Sequence, residues 1–353
     1  MRDEILKALE QVIDPELQRP VTELDMVRDV EISAGIVSLT IVLTIAGCPL
    51  RQSFEQQVEQ ALSGISGVRG VALSFGVMTP EERQALTTKL RGGVERDSVI
   101  KLSRDTRVIA VASGKGGVGK SSLSANLAVA FSQLGRRTGI LDADIYGHSI
   151  PHILGIHQKP VAVDQMIVPP VKDGLKLMSI GFFLDDNEPV MWRGPMLHRA
   201  LEQFLTDVHW GELDVLIVDM PPGTGDVSIS LGQLLPRAEV VVVTTPQKLA
   251  QDVASRAASM ARKTNMRLLG VVENMSGDVF GSGGGEDLAD SLGVPLLGTI
   301  PLDPALREHG DDGEPIVAAD PDSESAQAIV AIAETIDARR ESGAIVKSLP
   351  LVG

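Results

Sequence analysis

The 353-residue chain contains one cysteine, Cys48, so no disulfide can form within a copy and its thiol chemistry rests on a single side chain. Aromatic residues make up 3% of it, too few for the stacking platforms on which single-stranded nucleic acids are read. Positive charge is also scarce: 32 Lys and Arg stand against 47 Asp and Glu, a formal net charge of −15, with no Lys/Arg-rich run. A nucleic-acid or anionic-membrane partner is therefore not expected. No apolar stretch approaches the roughly 20 residues that span a bilayer. The first residues, Met1-Arg2-Asp3-Glu4-Ile5-Leu6-Lys7, lack the basic and long apolar regions of a secretory signal. Together these absences predict a cytoplasmic protein, and the length predicts two domains with ample core.

What is present centres on Val108 to Ser113, a β-branched apolar run, followed by Gly114-Lys115-Gly116-Gly117-Val118-Gly119-Lys120-Ser121. From Ser122 onward, Leu123, Leu127, Val129 and Ala130 recur at helical spacing. Strand, G-x-x-x-x-G-K-S and helix in that order are the context of a phosphate-binding P-loop. Backbone amides from Gly114 to Ser122 and the positive end of the helix dipole favour an anion; Lys120 meets the β- and γ-phosphates, and the Ser121 hydroxyl ligates Mg²⁺.

From 107 onward, strand-like runs at 107–113, 138–142, 213–219, 239–245, 268–274 and 295–300 alternate with helices. This predicts an α/β fold with a mostly parallel sheet flanked by helices, its ligands at the carboxyl ends of the strands. Asp142 and Asp144 follow the second of these strands. Two carboxylates one residue apart at a strand end suit a Mg²⁺ shell and the orientation of an attacking water, and equally the capping of a turn. Leu216-Ile217-Val218-Asp219, running into Met220-Pro221-Pro222-Gly223, reads as a Walker B strand and a switch turn. Asp219 is expected to hold Mg²⁺ through water, and the Gly223 amide to sense a γ-phosphate. No N-K-x-D element for guanine is present, so ATP is expected rather than GTP. His148, His152 and His157 have spacings of four and five, but Pro151 interrupts them and no Glu or Cys joins them, which argues against a metal site.

Ahead of the linker, placed at 91–106, residues 1–90 read as a small α+β domain. It has a helical stripe ending at Asp14-Pro15, a hairpin through Ala34-Gly35, a helix carrying Phe54, Val58 and Leu62, a third strand, and a further helix from Thr79. Residues 107–345 are expected to form the P-loop domain.

The doubled lysine of Gly114-Lys115-Gly116-Gly117-Val118-Gly119-Lys120-Ser121 resembles the deviant Walker A proteins, a superfamily that includes MinD and ParA. Met191-Trp192-Arg193-Gly194-Pro195 points within it to the Mrp/ApbC iron–sulfur cluster carriers. The N-terminal segment resembles the SufT-like iron–sulfur assembly domain through Asp14-Pro15-Glu16-Leu17, Met26-Val27-Arg28-Asp29-Val30 and Thr44-Ile45-Ala46-Gly47-Cys48-Pro49-Leu50, with Asp25 where glycine is common. The resemblance implies a homodimer in which Lys115 reaches the nucleotide of the other copy, Asp144 as the water-orienting residue, Asp142 in support of Mg²⁺, and Asn274 reading the adenine edge. It also implies iron–sulfur client or scaffold partners. In one respect the chain departs from the pattern. Mrp carriers commonly place C-x-x-C after the asparagine, whereas Asn274-Met275-Ser276 runs through Gly277-Asp278-Val279-Phe280 to Gly281-Ser282-Gly283-Gly284-Gly285 without a thiol. Cys48 is then the one thiol this chain offers to iron or to thiol exchange. A second reading follows: an ATP-switched partner-binding module that carries no cluster.

Overall fold

The structure is a computed structural model. It describes the chain apart from residues 1, 18, 45–50, 91–101, 104, 146, 165, 184–193 and 344–353. Cys48, most of the expected linker and Trp192-Arg193 thus lie outside the described residues. The chain divides into two compact units: residues 1–99 with 160–171 and 207–209, and the remainder.

The smaller unit begins with α1 (Arg2–Leu9), β1 (Val27–Ser33), β2 (Ile36–Leu43), α2 (Arg51–Ser63), β3 (Gly70–Val77) and α3 (Pro80–Leu90). Strands β1 and β2 pair antiparallel, and β2 pairs parallel with β3 across the α2 crossover. Ala34 and Gly35, at φ 51° and 83°, supply the two left-handed residues that a tight hairpin turn needs. Asp25 is left-handed too, at φ 53°. Glycine would hold that conformation with less strain. Ile5, Leu9, Phe54, Val58 and Leu62 are buried against alternate residues of β2, so helix period and strand period meet in one core.

In the larger unit the chain continues through β4 (Arg107–Ser113), α4 (Lys120–Gln133), β5 (Thr138–Asp142) and the short α5 (Ile150–Ile153). A hairpin of β6 (Val161–Val163) and β7 (Met166–Val168) then joins the smaller unit, where Thr87 Oγ1 donates to the Val163 carbonyl. Next come β8 (Val171–Lys172), β9 (Leu175–Ser179), α6 (Gly194–Thr206), β10 (Val215–Asp219), α7 (Asp226–Leu234), β11 (Glu239–Thr244), α8 (Lys248–Lys263) and β12 (Arg267–Ser276). The series closes with α9 (Gly284–Leu292), β13 (Leu296–Pro301), α10 (Pro304–Asp312), α11 (Ile316–Ala319) and α12 (Glu324–Gly343). Eight strands form one sheet in the order β13-β12-β11-β4-β10-β5-β9-β8, and the pairings from β13 to β9 are parallel.

This is the fold the alternation predicts, a P-loop NTPase sheet covered by helices. Its central strands are buried along their whole length, as strands covered on both faces must be. The sheet also contains β9, which the sequence reading did not include. Lys176, the second residue of that strand, interrupts its apolar run. Among the described residues no helix is long and apolar enough to cross a membrane.

Candidate functional site

Three neighbouring strands deliver the chemistry to one sheet edge. β4 ends in the P-loop, β10 in Asp219 and β5 in Asp142, and the register sets Asp219 directly beside Asp142. Steric demands explain the loop's glycines. A Cβ at Gly114 would lie 2.2 Å from the Val253 carbonyl carbon, and Gly117 and Gly119 are left-handed at φ 78° and 79°. A Cβ on Gly119 would also lie 2.1 Å from Asn274 Nδ2. The loop therefore threads between α8 and the end of β12 only because those side chains are missing.

Lys120 is buried, with its Nζ 2.7 Å from Asp219 Oδ2 and 3.7 Å from Asp144 Oδ2. It also donates to Ser121 Oγ at 3.2 Å. Asp219, fully buried, accepts from Ser121 Oγ at 2.7 Å and from Ser124 Oγ at 2.6 Å. Asp142, equally buried, accepts from Ser179 Oγ at 2.9 Å and from the Asp144 amide at 3.2 Å. Burial, and then the Asp219 charge, push the Asp142 carboxyl up to about 7, against the pull of the Ser179 hydroxyl, Lys120 and the Asp144 amide. Asp144 Oδ1 accepts the Gly147 amide at 3.1 Å, which fixes the turn after β5. Two carboxylates, Asp219 and Asp144, thus flank the Lys120 ammonium, with Asp142 beside Asp219, so that carboxylate and serine oxygens lie next to the loop amides. Such a donor set suits Mg²⁺ and a polyphosphate.

Beside these residues opens a cavity of about 900 Å³. Its walls include Lys115, Gly116, Ser122, Asp144 and His152, together with Asn274, Pro301, Asp303 and Arg307. Asn274 is buried; its Nδ2 donates to the Val118 carbonyl at 2.9 Å, and Oδ1 has no partner. That Nδ2 bond fixes which way the amide faces. A buried acceptor left in this way is costly until a donor arrives, and the exocyclic amine of adenine is such a donor. The carbonyl that guanine carries at the same position is not.

Residues 104–337 match the NUBPL iron-transfer P-loop NTPase family (ParA), and residues 2–73 match the iron-sulfur cluster assembly protein family. The iron-sulfur cluster carrier protein of Mycobacterium leprae is 49% identical over 96% of this chain and 94% of its own length. That of Synechocystis sp. is 44% identical over 98% of this chain and 99% of its own length. The chain belongs to the NUBPL iron-transfer P-loop NTPase family. Among solved structures it is similar to a nucleotide-binding protein from Archaeoglobus fulgidus in complex with ADP, at 33% identity, covering 70% of this chain and 95% of that one, with a TM-score of 0.54. It is also similar to the septum site-determining protein MinD of Pyrococcus horikoshii, complexed with Mg-ADP, at 25% identity, covering 68% and 100%, with a TM-score of 0.54.

For an NTPase of this family, the structure brings Lys120, Ser121, Asp142, Asp144 and Asp219 together, and it lines one cavity with Lys115, Gly116, Gly117, Gly119, Ser122 and Asn274. The Gly223 amide, expected to sense a γ-phosphate, donates to the Ser113 carbonyl at 2.9 Å. Cys48 lies outside the described residues, and among those residues no group of three or more His, Cys, Asp or Glu is arranged to hold a metal ion. Three contributors are absent from the sequence reading. Ser124 lies one helical turn beyond Lys120, a spacing that points it at the same carboxylate. Ser179 ends the unexpected strand β9 and left no signal. The cavity wall formed by α10 comes from topology rather than from any motif.

Proposed function

We propose that this NUBPL-family chain binds Mg-ATP in the cavity at the P-loop and hydrolyses it as a homodimer, coupling turnover to the handling of iron–sulfur clusters as cargo. The observation that carries the nucleotide part is the cluster of Lys120, Ser121, Asp144 and Asp219 at adjoining strand ends, with Asn274, whose Oδ1 is unpartnered, lining the same cavity. Ser121, Asp142 and Asp219 are the residues that would hold Mg²⁺, which when bound offsets charge on the phosphate oxygens. Lys120 exchanges its contact with Asp219 for the β- and γ-phosphates, and the amides of the loop complete the cradle. Asp144, freed of that ammonium, accepts a proton-side hydrogen bond from the attacking water and so aims it. Asn274 accepts from the adenine amine. Lys115 has no ion-pair partner among the described residues, which supports the reading that its charge serves the other copy's γ-phosphate.

The cargo is a separate matter. One cysteine per chain gives a homodimer two thiolates, half of the four that usually hold a cluster. Any cluster must therefore be completed by a client's thiols or by a small thiol. The turn from Gly277 to Gly281, closed by reciprocal amide–carbonyl hydrogen bonds at 2.9 and 2.7 Å and bearing no thiol, favours the second reading, a nucleotide-switched partner-binding module. Anaerobic reconstitution with iron and sulfide, followed by desalting, separates the two. The account expects no stoichiometric cluster on the isolated chain. A stable species near four irons per dimer, lost in Cys48→Ser, would return cluster ligation to this protein's own side chains.

A further inference from the structure

Glu273 is a fully buried carboxylate one residue before Asn274, and the nucleotide chemistry above leaves it without a role. Among the described residues no Lys or Arg lies within ion-pair distance of it. Its partners are the Ser276 hydroxyl, donating to Oε1 at 2.9 Å, and two glycine amides at the start of α9, Gly283 to Oε1 at 3.2 Å and Gly285 to Oε2 at 2.5 Å. The glycines that follow are shaped by this contact. A Cβ on Gly285 would lie 2.5 Å from the Glu273 Cβ, one on Gly284 would lie 2.4 Å from the Pro246 carbonyl oxygen, and Gly283 is left-handed at φ 92°. The glycine run therefore lets α9 begin close enough for its first amides to bond the carboxylate, where the helix dipole favours a negative charge.

The pairing of β12 with β13 is irregular at this point. Glu273 faces Thr299 and Ser276 faces Pro301, so two residues, Asn274 and Met275, stand against the single Ile300. This is a β-bulge, and Met275 within it has φ 61°, an unfavourable conformation for an unbranched side chain with a Cβ. Bulges redirect the side chains they contain, and strained ones persist only where their surroundings hold them. Here the two ends of the bulge are tied to each other: Ser276 Oγ to Glu273 Oε1 closes it from the side-chain face, and the Leu302 amide, donating to the Ser276 carbonyl at 2.8 Å, anchors its exit. What the bulge aims is Asn274, whose amide reaches the Val118 carbonyl within the P-loop and leaves Oδ1 for a ligand.

We infer that Glu273 is a positioning residue for base recognition: stapled to Ser276 across the bulge and seated on the α9 amides, it holds Asn274 in the orientation that selects adenine. This deepens the proposed nucleotide reading and rests on Asn274 meeting the base. In Glu273→Gln one acceptor oxygen becomes a donor: in the Oε1 place it faces both the Ser276 hydroxyl and the Gly283 amide, in the Oε2 place the Gly285 amide, so either the staple or the seat on α9 is disturbed while the volume is kept. Ser276→Ala removes only the staple and leaves the α9 anchor.

The test titrates non-hydrolysable ATP and GTP analogues, with Mg-tripolyphosphate as a base-free control, into wild type, Asn274→Ala, Glu273→Gln and Ser276→Ala. Wild type should prefer the adenine analogue and Asn274→Ala should lose that preference. Glu273→Gln and Ser276→Ala should each lower the ATP/GTP affinity ratio by about fivefold, the size of one hydrogen bond weakened, with tripolyphosphate affinity unchanged. A full ratio in Ser276→Ala, or a parallel fall in tripolyphosphate affinity, would overturn the inference, and Ser276→Ala decides alone if Glu273→Gln does not fold. A full ratio in Asn274→Ala would instead remove the underlying reading of the base contact.

Discussion

Replacing Lys120 by Met keeps the stem of the side chain and deletes its charge. In the folded protein that ammonium stands 2.7 Å from Asp219 Oδ2, a carboxylate with no solvent exposure, and 3.7 Å from Asp144 Oδ2. Breaking a buried pair by removing one partner typically costs about 3–5 kcal/mol, because the remaining charge stays desolvated. Asp219 keeps its bonds from Ser121 and Ser124, which places the expected loss toward the lower end, at about 3 kcal/mol. The variant should therefore be less stable even without nucleotide, besides binding phosphates poorly. Trp210 is buried in the larger unit, so urea unfolding followed by its fluorescence, with Trp192 replaced by Phe in every variant, reports that unit. Adding Asp219→Asn to the variant removes the stranded charge and should recover part of the loss, with a coupling on the order of 1–3 kcal/mol. A Lys120→Met protein within about 1 kcal/mol of wild type, with no coupling to Asp219, would refute the reasoning.

Lys115→Ala should bind an ATP analogue almost normally yet hydrolyse ATP poorly, and wild-type turnover per chain should rise with concentration as dimers form; full activity in a strictly monomeric protein, shown by sedimentation with Mg-ATP, would exclude action across the subunits. Lys176 is buried with its Nζ 2.8 Å from the Trp210 carbonyl, and burial lowers it to about 8. Between pH 8 and about 10.5 the unfolded chain then binds the extra proton, so wild-type stability should climb through that window relative to Lys176→Met; a difference that stays flat would contradict it. For Glu16 the sign is opposite: burial, and then the Asp14 charge, raise it to about 7, so the folded state holds the extra proton. Stability of the smaller unit should fall as pH rises from about 4.5 to 7 and level off above, and calorimetry of Glu16→Gln should show that fall removed.

Much of this was legible in the sequence because it is local. The runs expected at 107–113 and 138–142 coincide with β4 and β5, since a mostly buried apolar run that stops at glycine or aspartate announces its C-terminal end. Three-residue strands such as β6 and β7 are too short for any period to show, and their packing in the smaller unit is a tertiary matter. β9 escaped because Lys176 and Ser179 break its apolar run, although the first is buried against a carbonyl and the second bonds Asp142. The aim of Asn274 depends on a bulge, and a bulge is a mismatch between two strands that neither strand carries alone. Lys120 was expected on phosphate; its contact with Asp219 follows from the register of β4 and β10, which brings the Walker B carboxylate beside the P-loop.

The central claim is that this site hydrolyses ATP with a water aimed by Asp144. The most direct test measures phosphate release from Mg-ATP by wild type and Asp144→Asn, alongside the affinity of each for a non-hydrolysable ATP analogue. The account predicts release by wild type, unchanged analogue affinity in the variant, and a drop in release of about 10²-fold or more, the range of a positioned general base. Equal release from both proteins, or loss of analogue binding in proportion to the loss of release, would contradict it.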